Sequence, residues 1–553
     1  MPDPIRDLAN LARLLTRLPT EAQALMTIVN AGMIGAERPD RLYAAYKAME
    51  RYGAMGAAIS VAAIRHADRT ALIDEIGSLT YREMDLRSNA LANAFRARGA
   101  GSGTGVGILC RNHRGIFDAS FGAMKAGCRV LYLNTDFAAP QAKEVCAREG
   151  VSMVVYDEEF ADVMAGVDAP QGRFVAWSDD PGPDGGDGPT LESLIATGNR
   201  ASPPAPDGPG TVVILTSGTT GTPKGANRGQ PKSLSAAAAI LSKIPFRSKD
   251  VTYVAAPVFH AWGLGVSTIT LATGSTLVMS RRFDADATLL ALAEHKCTGL
   301  AVVPVLLQRI LALGDEHIAR FDLSALRLIA TSGSQLSAAL GTRAQEVFGD
   351  VVYNLYGSTE VAWATIATPA DIREAPGSAG KPPLATTVRI LDEGGNPLPT
   401  GQTGRIFVGS GMEFGGYTGG GSKEVISGLM STGDVGHFDE NGRLWVDGRD
   451  DEMIVSGGEN VFPREVEELL GGHESIVESA AIGVEDETFG QRLRVFVVVR
   501  AGHTIEADEV KEYVRSNLAR YKVPRDVVFV EQLPRNPSGK ILKRELTGKD
   551  TGS

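Results

Sequence analysis

The chain has 553 residues, of which 43% are hydrophobic and 22% charged, and its formal net charge is -11. That length exceeds one compact core and calls for several domains, while the acidic balance and the lack of a dense basic run argue against a nucleic-acid-binding surface. Cys110, Cys128, Cys146 and Cys297 show no CxxC spacing. Neither a zinc site nor a disulfide framework is therefore expected, and a reducing cytoplasm is the simpler setting.

At the N-terminus, Asp3, Arg6, Asp7 and Arg13 interrupt any secretory apolar core. Residues 1–50 form a helical extension. Leu8, Leu11, Leu14, Leu15 and Leu18, then Ala22, Leu25, Met26 and Val29, recur at helical spacing. The first reading of that stripe is a helix packed on its own domain. The second is contact with a membrane surface or a partner, which would make a cytoplasmic protein peripheral on the inner membrane face.

From about residue 55 to 200, helical stretches alternate with short apolar runs. "SLTYREMDLRSNALANAFRARG" reads as a strand leading into an amphipathic helix, and "VGILCRN" and "RVLYLN" as buried strands around the helix "FDASFGAMKAGC". This alternation predicts a mostly parallel α/β sheet. Loops follow by composition, at 178–189 and 202–210. "TVVIL", "GLAVVPV", "LRLIATSG" and "VVYNLYG" are further buried strands. Val251 to Ser280 contains no Asp, Glu, Lys or Arg, but Pro257, His260 and several glycines favour buried elements over a membrane span. Between Gly380 and Val446 the pattern changes to short β segments, with a hairpin at "HFDENGRLWVDG" and Asn441-Gly442 at its turn. Beyond Gly448 a smaller unit begins, containing the helix "PREVEELL" opened by Pro463, the strand "VFVVVR" and the helix "ADEVKEYVRSNL".

The stretch "ILTSGTTGTPKGANR", residues 214–228, sets Gly218, Gly221 and Gly225 among the hydroxyls of Thr216, Ser217, Thr219, Thr220 and Thr222, and ends on Lys224. Glycine lets backbone N–H groups approach an anion, hydroxyls add donors, and the lysine adds charge, so phosphate is the natural ligand. The Walker pattern is excluded, because Lys224 follows Pro223 and precedes Gly225.

Four further segments follow in order: "YGSTE" (residues 356–360), "STGD" (431–434), "GRDDEMIVSGGENVFPREVE" (448–467) and "NPSGKILKREL" (536–546). Over roughly residues 55–546 the set resembles the acyl-adenylate-forming superfamily, and most nearly its bacterial fatty acyl-CoA ligases. The resemblance implies an α/β fold: a large N-terminal domain (51–449) of parallel α/β subdomains plus a small β-barrel-like subdomain, then a small mobile α+β domain (450–553). It also implies fatty acid, ATP and coenzyme A as substrates, with Mg²⁺.

The resemblance also implies a role for each matching position. Thr216, Ser217, Gly218, Thr219, Thr220, Gly221 and Lys224 would hold the β- and γ-phosphates, and Thr216 and Glu360 would be the pair associated with Mg²⁺, a hard cation that takes oxygen ligands. Asp434 would accept hydrogen bonds from both ribose hydroxyls, which suits a fixed carboxylate, and Arg449 would be a second ribose and phosphate contact. Gly357 and Thr359 would also bind ATP, and Tyr356, with Gly333, Ser334 and Gln335, would border the adenine. Here the sequence departs from the commoner pattern, with Ser332 where glycine is frequent and Gln335 where proline is frequent. Lys540 would reach the α-phosphate and the acyl oxygen during adenylation, as a point charge on a long stem. His260 would lie beside the acyl carboxylate. Asp451 would be the hinge on which the small domain turns between two half-reactions, and Gly457, Gly458 and Glu459 would then line the coenzyme A channel. The acyl pocket is expected from Phe259, Trp262, Gly263, Leu264, Gly265, Val266, Val361, Ala362, Trp363 and Ile366.

The implied function is ATP- and Mg²⁺-dependent ligation of a fatty acid to coenzyme A through an acyl-AMP. Three alternatives stand beside it: a fatty acyl-AMP ligase delivering to a carrier protein, a peptide-synthetase module, and a non-catalytic nucleotide- or acyl-binding relative. The module is disfavoured because the sequence ends soon after Lys540, and the last because Lys224, Glu360, Asp434, Arg449 and Lys540 occur together.

Overall fold

A computed structural model of the chain describes residues 19–35, 37–179, 189–215, 224–228, 234–412, 414–450, 454–456, 459–486, 490–519, 522–537 and 539–546. Thr216–Pro223, Asp451, Gly457 and Gly458 lie outside them, and of Glu459 only the backbone is described.

Two mostly parallel sheets make the bulk of the protein. The first has eight described strands, running from Gly77–Thr80 through Thr70–Asp74, Thr276–Val278, Val251–Val254, Gly299–Val302, Leu328–Thr331 and Val352–Tyr356 to Thr365–Ala367. Its inner strands are parallel, and antiparallel strands close both edges. The second has seven, ordered Gly172–Trp177, Val151–Asp157, Gly105–Leu109, Arg129–Tyr132, Thr211–Leu215, Gly225–Arg228 and Phe414–Tyr417. The parallel strands are covered on both faces, which is why they read as unbroken apolar runs and not as alternation. One continuous core joins the two sheets.

The expected elements fall where their local chemistry puts them. Thr80 caps the helix Tyr81–Arg96 in a reciprocal pair with Glu83, so "SLTYREMD" is a strand leading into a helix. The uncharged stretch after residue 250 becomes strand Val251–Val254, helix Ala261–Ala272 and strand Thr276–Val278. Among the described residues no helix is long and apolar enough to cross a membrane.

The third sheet is antiparallel and five-stranded: Thr387–Leu391, Gly404–Gly409 and Leu429–Phe438, with Val425–Ile426 and Leu444–Arg449 on the last. In its expected hairpin, the Asp439 carboxylate accepts from the backbone N–H groups of Asn441 and Arg443, and Gly442 takes φ +73°. A fourth sheet, Glu459–Val461, Ile454–Ser456, Gly490–Val499, Ile476–Asp486 and Asp526–Phe529, packs with helices Pro463–Gly471 and Ala507–Asn517 into an α+β unit.

Of the N-terminal stripe, Leu8, Leu11, Leu14, Leu15 and Leu18 lie outside the described residues; the helix that follows does pack on its own domain, but not through the expected side chains. Leu25, Met26 and Val29 do not pack on the domain: they are 43%, 66% and 45% exposed. The helix through residues 19–30 instead buries Ala24 and Ile28 against Ala238. Ala24, Ile28 and Ala31 form a second apolar stripe at i, i+4 and i+7, and the smallness of Ala24 lets the helix approach its neighbour closely. The next helix, Pro39–His66, crosses residue 50 and breaks at Gly53 (φ 72°).

Candidate active site

In the parallel sheets, Leu215, Val302, Thr331 and Tyr356 end their strands on one side of a cavity of about 1630 Å³. Open α/β sheets present ligands at the carboxyl ends of their strands, so loops leaving these ends are the positions to search. Lys224, His260, Gly333, Ser334, Gln335, Tyr356, Gly357, Thr359, Glu360, Asp434, Arg449 and Lys540 all line this cavity. The described residues expected around the nucleotide are therefore in one place.

The glycine- and hydroxyl-rich stretch connects two adjacent antiparallel strands, with Leu215 opposite Gly225. A Cβ on Gly225 would stand 2.6 Å from the Thr418 hydroxyl and 2.7 Å from Val213, so the close strand pair requires glycine there. Lys224 Nζ lies 5.4 Å from the centre of the Tyr417 ring. The Tyr417 hydroxyl in turn donates to Glu360 Oε1 at 2.7 Å, and the Ser358 hydroxyl donates to Oε2 at 2.9 Å. Burial and the Glu360 carboxylate hold the Tyr417 phenol well above its ordinary pKa, so it stays a donor. Sequence reasoning did not single out Tyr417. Its pairing across Phe414–Tyr417 and Gly225–Arg228 joins segments about 190 residues apart and leaves no local signal.

Asp434 and Arg449 face each other in register on the hairpin strands, and Arg449 donates to Asp434 Oδ1 at 3.3 Å. The Tyr356 hydroxyl donates to Oδ2 at 2.5 Å. Burial raises the Asp434 carboxyl above its usual range, against the opposing pull of Arg449, the Tyr356 hydrogen bond and Lys540. Burial and this carboxylate raise the Tyr356 phenol further. The pair is a buried acceptor held between a cation and a phenol.

Lys540 reaches the cavity because its loop closes on itself and docks on the start of the helix Pro304–Leu311. The Lys540 N–H donates to Asn536 Oδ1 at 2.9 Å, and the Asn536 N–H to the Lys540 carbonyl at 2.9 Å. Gly539 takes φ +80° and sits so close to Val305 that any Cβ would overlap it. That explains glycine before the lysine on both counts, turn geometry and close approach.

The departures at 332 and 335 have structural reasons. The Ser332 hydroxyl donates to the Leu355 carbonyl at 2.8 Å and ties two strand ends together. Gln335 Nε2 donates to Glu468 Oε1 at 2.5 Å, bridging the large sheet region to the helix Pro463–Gly471.

His260 precedes the helix Ala261–Ala272. Its Nε2 is buried without a hydrogen-bond partner among the described residues, and burial lowers its pKa to about 4. Of the expected acyl wall, Trp262, Gly263, Leu264, Gly265, Ala362 and Trp363 do line the cavity. Phe259, Val266, Val361 and Ile366 do not; they are core residues, 6%, 0%, 3% and 0% exposed. The two glycines also differ. A Cβ on Gly263 would overlap the Pro257 carbonyl, whereas nothing lies within 4 Å of one on Gly265, which alone leaves room.

Residues 59–418 match the family described as AMP-binding enzyme, and residues 465–540 the AMP-binding enzyme C-terminal domain. The chain is 34% identical to an indoleacetate–CoA ligase of Aromatoleum aromaticum over 88% of its own length and 98% of the relative's. It is 29% identical to a long-chain-fatty-acid–CoA ligase of Mycobacterium tuberculosis, over 85% and 92%. The crystal structure of the anthranilate CoA ligase AuaEII in complex with anthranoyl-AMP superposes with a TM-score of 0.81 at 25% identity, covering 90% of this chain and 98% of that one.

Proposed function

The chain belongs to the AMP-binding enzyme family, and on that premise we propose that it activates a fatty acid and transfers the acyl group to coenzyme A. Acid–CoA ligation in this family runs through two half-reactions. The carboxylate attacks the α-phosphate of ATP, giving acyl-AMP and pyrophosphate; the coenzyme A thiol then attacks the acyl carbon, giving the thioester and AMP. Adenylation replaces an oxide leaving group with a phosphate. The protein's work is accordingly to position substrates and offset phosphate charge, without a covalent nucleophile.

In this reading Thr216–Lys224 cradles the β- and γ-phosphates, Asp434 and Arg449 take the ribose, and Gly333–Gln335 with Tyr356 border the adenine. Lys540 stabilises the charge that builds at the α-phosphate. Glu360 and Thr216 would hold Mg²⁺: Glu360 presents a carboxylate on the cavity wall, and each oxygen accepts one hydroxyl donor, which leaves lone pairs for a hard cation. When bound, that ion would neutralise triphosphate charge. Gly457, Gly458 and Glu459 remain our assignment for the coenzyme A channel, Asp451 for the hinge, and 51–449 and 450–553 for the two domains. Peripheral contact with a membrane rests on the exposed Leu25, Met26 and Val29.

One observation supports the reading most. Segments far apart in the chain bring Lys224, Glu360, Asp434 and Lys540 to one cavity, which continues along Leu264, Ile269 and Ala272 of an apolar helix. A second reading, an aryl acid, is favoured by the likeness to the indoleacetate–CoA ligase. Acyl-CoA and AMP should be measured with purified protein, ATP, magnesium and coenzyme A across straight-chain and aryl acids. The fatty reading expects straight-chain acids to be preferred; turnover of aryl acids alone overturns it. Acyl-AMP that forms but is released only to a carrier protein overturns coenzyme A as acceptor.

A further inference from the structure

We propose that the N-terminal extension is part of the acyl site, and that Met33 and Met55 form the stop that sets how long a tail the enzyme accepts. The proposal rests on the reading of the site as one for an apolar acid, and adds the residues that end it.

The cavity does not stop beside His260. It follows one face of the helix Ala261–Ala272, with Leu264, Gly265, Thr268, Ile269 and Ala272 all in its lining. From His260 to Ala272 such a face spans about 18 Å at 1.5 Å per residue, which suits an extended tail better than a single ring. The helix lies between the parallel strands Val251–Val254 and Thr276–Val278, so it runs from the carboxyl end of the sheet, where the catalytic groups gather, to the amino end.

The extension meets it at that amino end. The Ser248 N–H, just before the strand Val251–Val254, donates to the Ala31 carbonyl at 2.7 Å. Gly32 takes φ +75°, and a Cβ there would stand 2.5 Å from Ser248 Cβ. Arg65 donates to the carbonyls of Met33 and Gly32 and pairs with Glu37 at 2.9 Å. The turn carrying Met33 is thus held by backbone and charged contacts from two sides. Met55 is placed by the break at Gly53, where a Cβ would meet Pro209 at 2.8 Å. From that break the helix packs on towards His66, whose ring contacts Gly274 beyond the end of Ala261–Ala272. Both methionines are half-buried and line the cavity. Methionine is flexible and polarisable, a side chain suited to close an apolar arm on tails of differing shape.

The test compares the intact protein with Met55→Trp, Met33→Trp and Met55→Ala. Thioester formation is measured with straight-chain acids and with 4-n-alkylbenzoic acids of rising tail length, and the thermal midpoint of each variant is recorded. We expect the ratio of kcat/KM for the longest to the shortest accepted acid to fall by about tenfold or more in either tryptophan variant, and to rise in Met55→Ala. Equal change at every length, or no change in any of the three variants, overturns the stop. Activity on the alkylbenzoic series alone would overturn the fatty-acid reading, while the stop would still be read from tail length within that series.

Discussion

His260 shows how much one buried ring can report. Its pKa of about 4 in the folded protein lies below the ordinary 6.5 because burial disfavours the cation. The unfolded chain therefore binds this proton first as pH falls, and stability is lost between about pH 6.5 and pH 4, by at most roughly 3 kcal/mol for this group. Urea unfolding at pH 7 and at pH 4.5 should show the loss, and His260→Gln should shrink the difference; an unchanged difference contradicts the burial argument. His66, also lowered to about 4 by burial and then by Arg65 and Arg69, acts in the same window. Lys540 makes the sharper catalytic prediction. Lys540→Ala should slow acyl-AMP formation by about a hundredfold or more while thioester formation from supplied acyl-AMP is largely kept; equal loss of both steps contradicts its role. At this scale the sequence was legible in which motif residues come together, since Lys224, Glu360, Asp434 and Lys540 all line one cavity. It was silent on Tyr417, Met33 and Met55, because nothing local marks a residue whose partners lie far along the chain. It also could not tell Gly263, which permits close packing, from Gly265, which leaves space.

Elements were read well where two signals agreed. Thr80 with Glu83 marked a helix start after a strand, and Asn441-Gly442 marked a hairpin that also aligns Asp434 with Arg449. The N-terminal helix packs on its own domain as its spacing suggested, but by the other of its two apolar stripes, because periodicity cannot say which one a neighbour will cover. Its anchor is open to a direct test. Gly32→Ala places a side chain at φ +75° and against Ser248, which should cost about 1–3 kcal/mol by chemical denaturation. A change within about 0.5 kcal/mol, the range of an ordinary surface substitution, would show that the turn is not fixed as described.

For the whole molecule, the order of motifs indicated the layered α/β body and the smaller α+β unit, but not how the two would meet. The contact is made by Gly539 on Val305 and by Gln335 with Glu468, side chains whose proximity only the folded chain creates. In this arrangement Lys540 is already in the cavity, which suits the adenylation role we propose for it; for the thioester step we propose that the small unit turns. Asp451→Pro, by stiffening the hinge we assign, should slow the thioester half-reaction more than pyrophosphate release in single-turnover measurements. A larger effect on pyrophosphate release would place the hinge elsewhere. The central claim, that distant segments converge on one triphosphate to activate an apolar acid, is tested most directly by acid-dependent exchange of labelled pyrophosphate into ATP with magnesium present. The account predicts exchange that needs the acid, persists without coenzyme A and is lost in Lys540→Ala. Exchange that is absent with every straight-chain and aryl acid, from a folded protein, would contradict it.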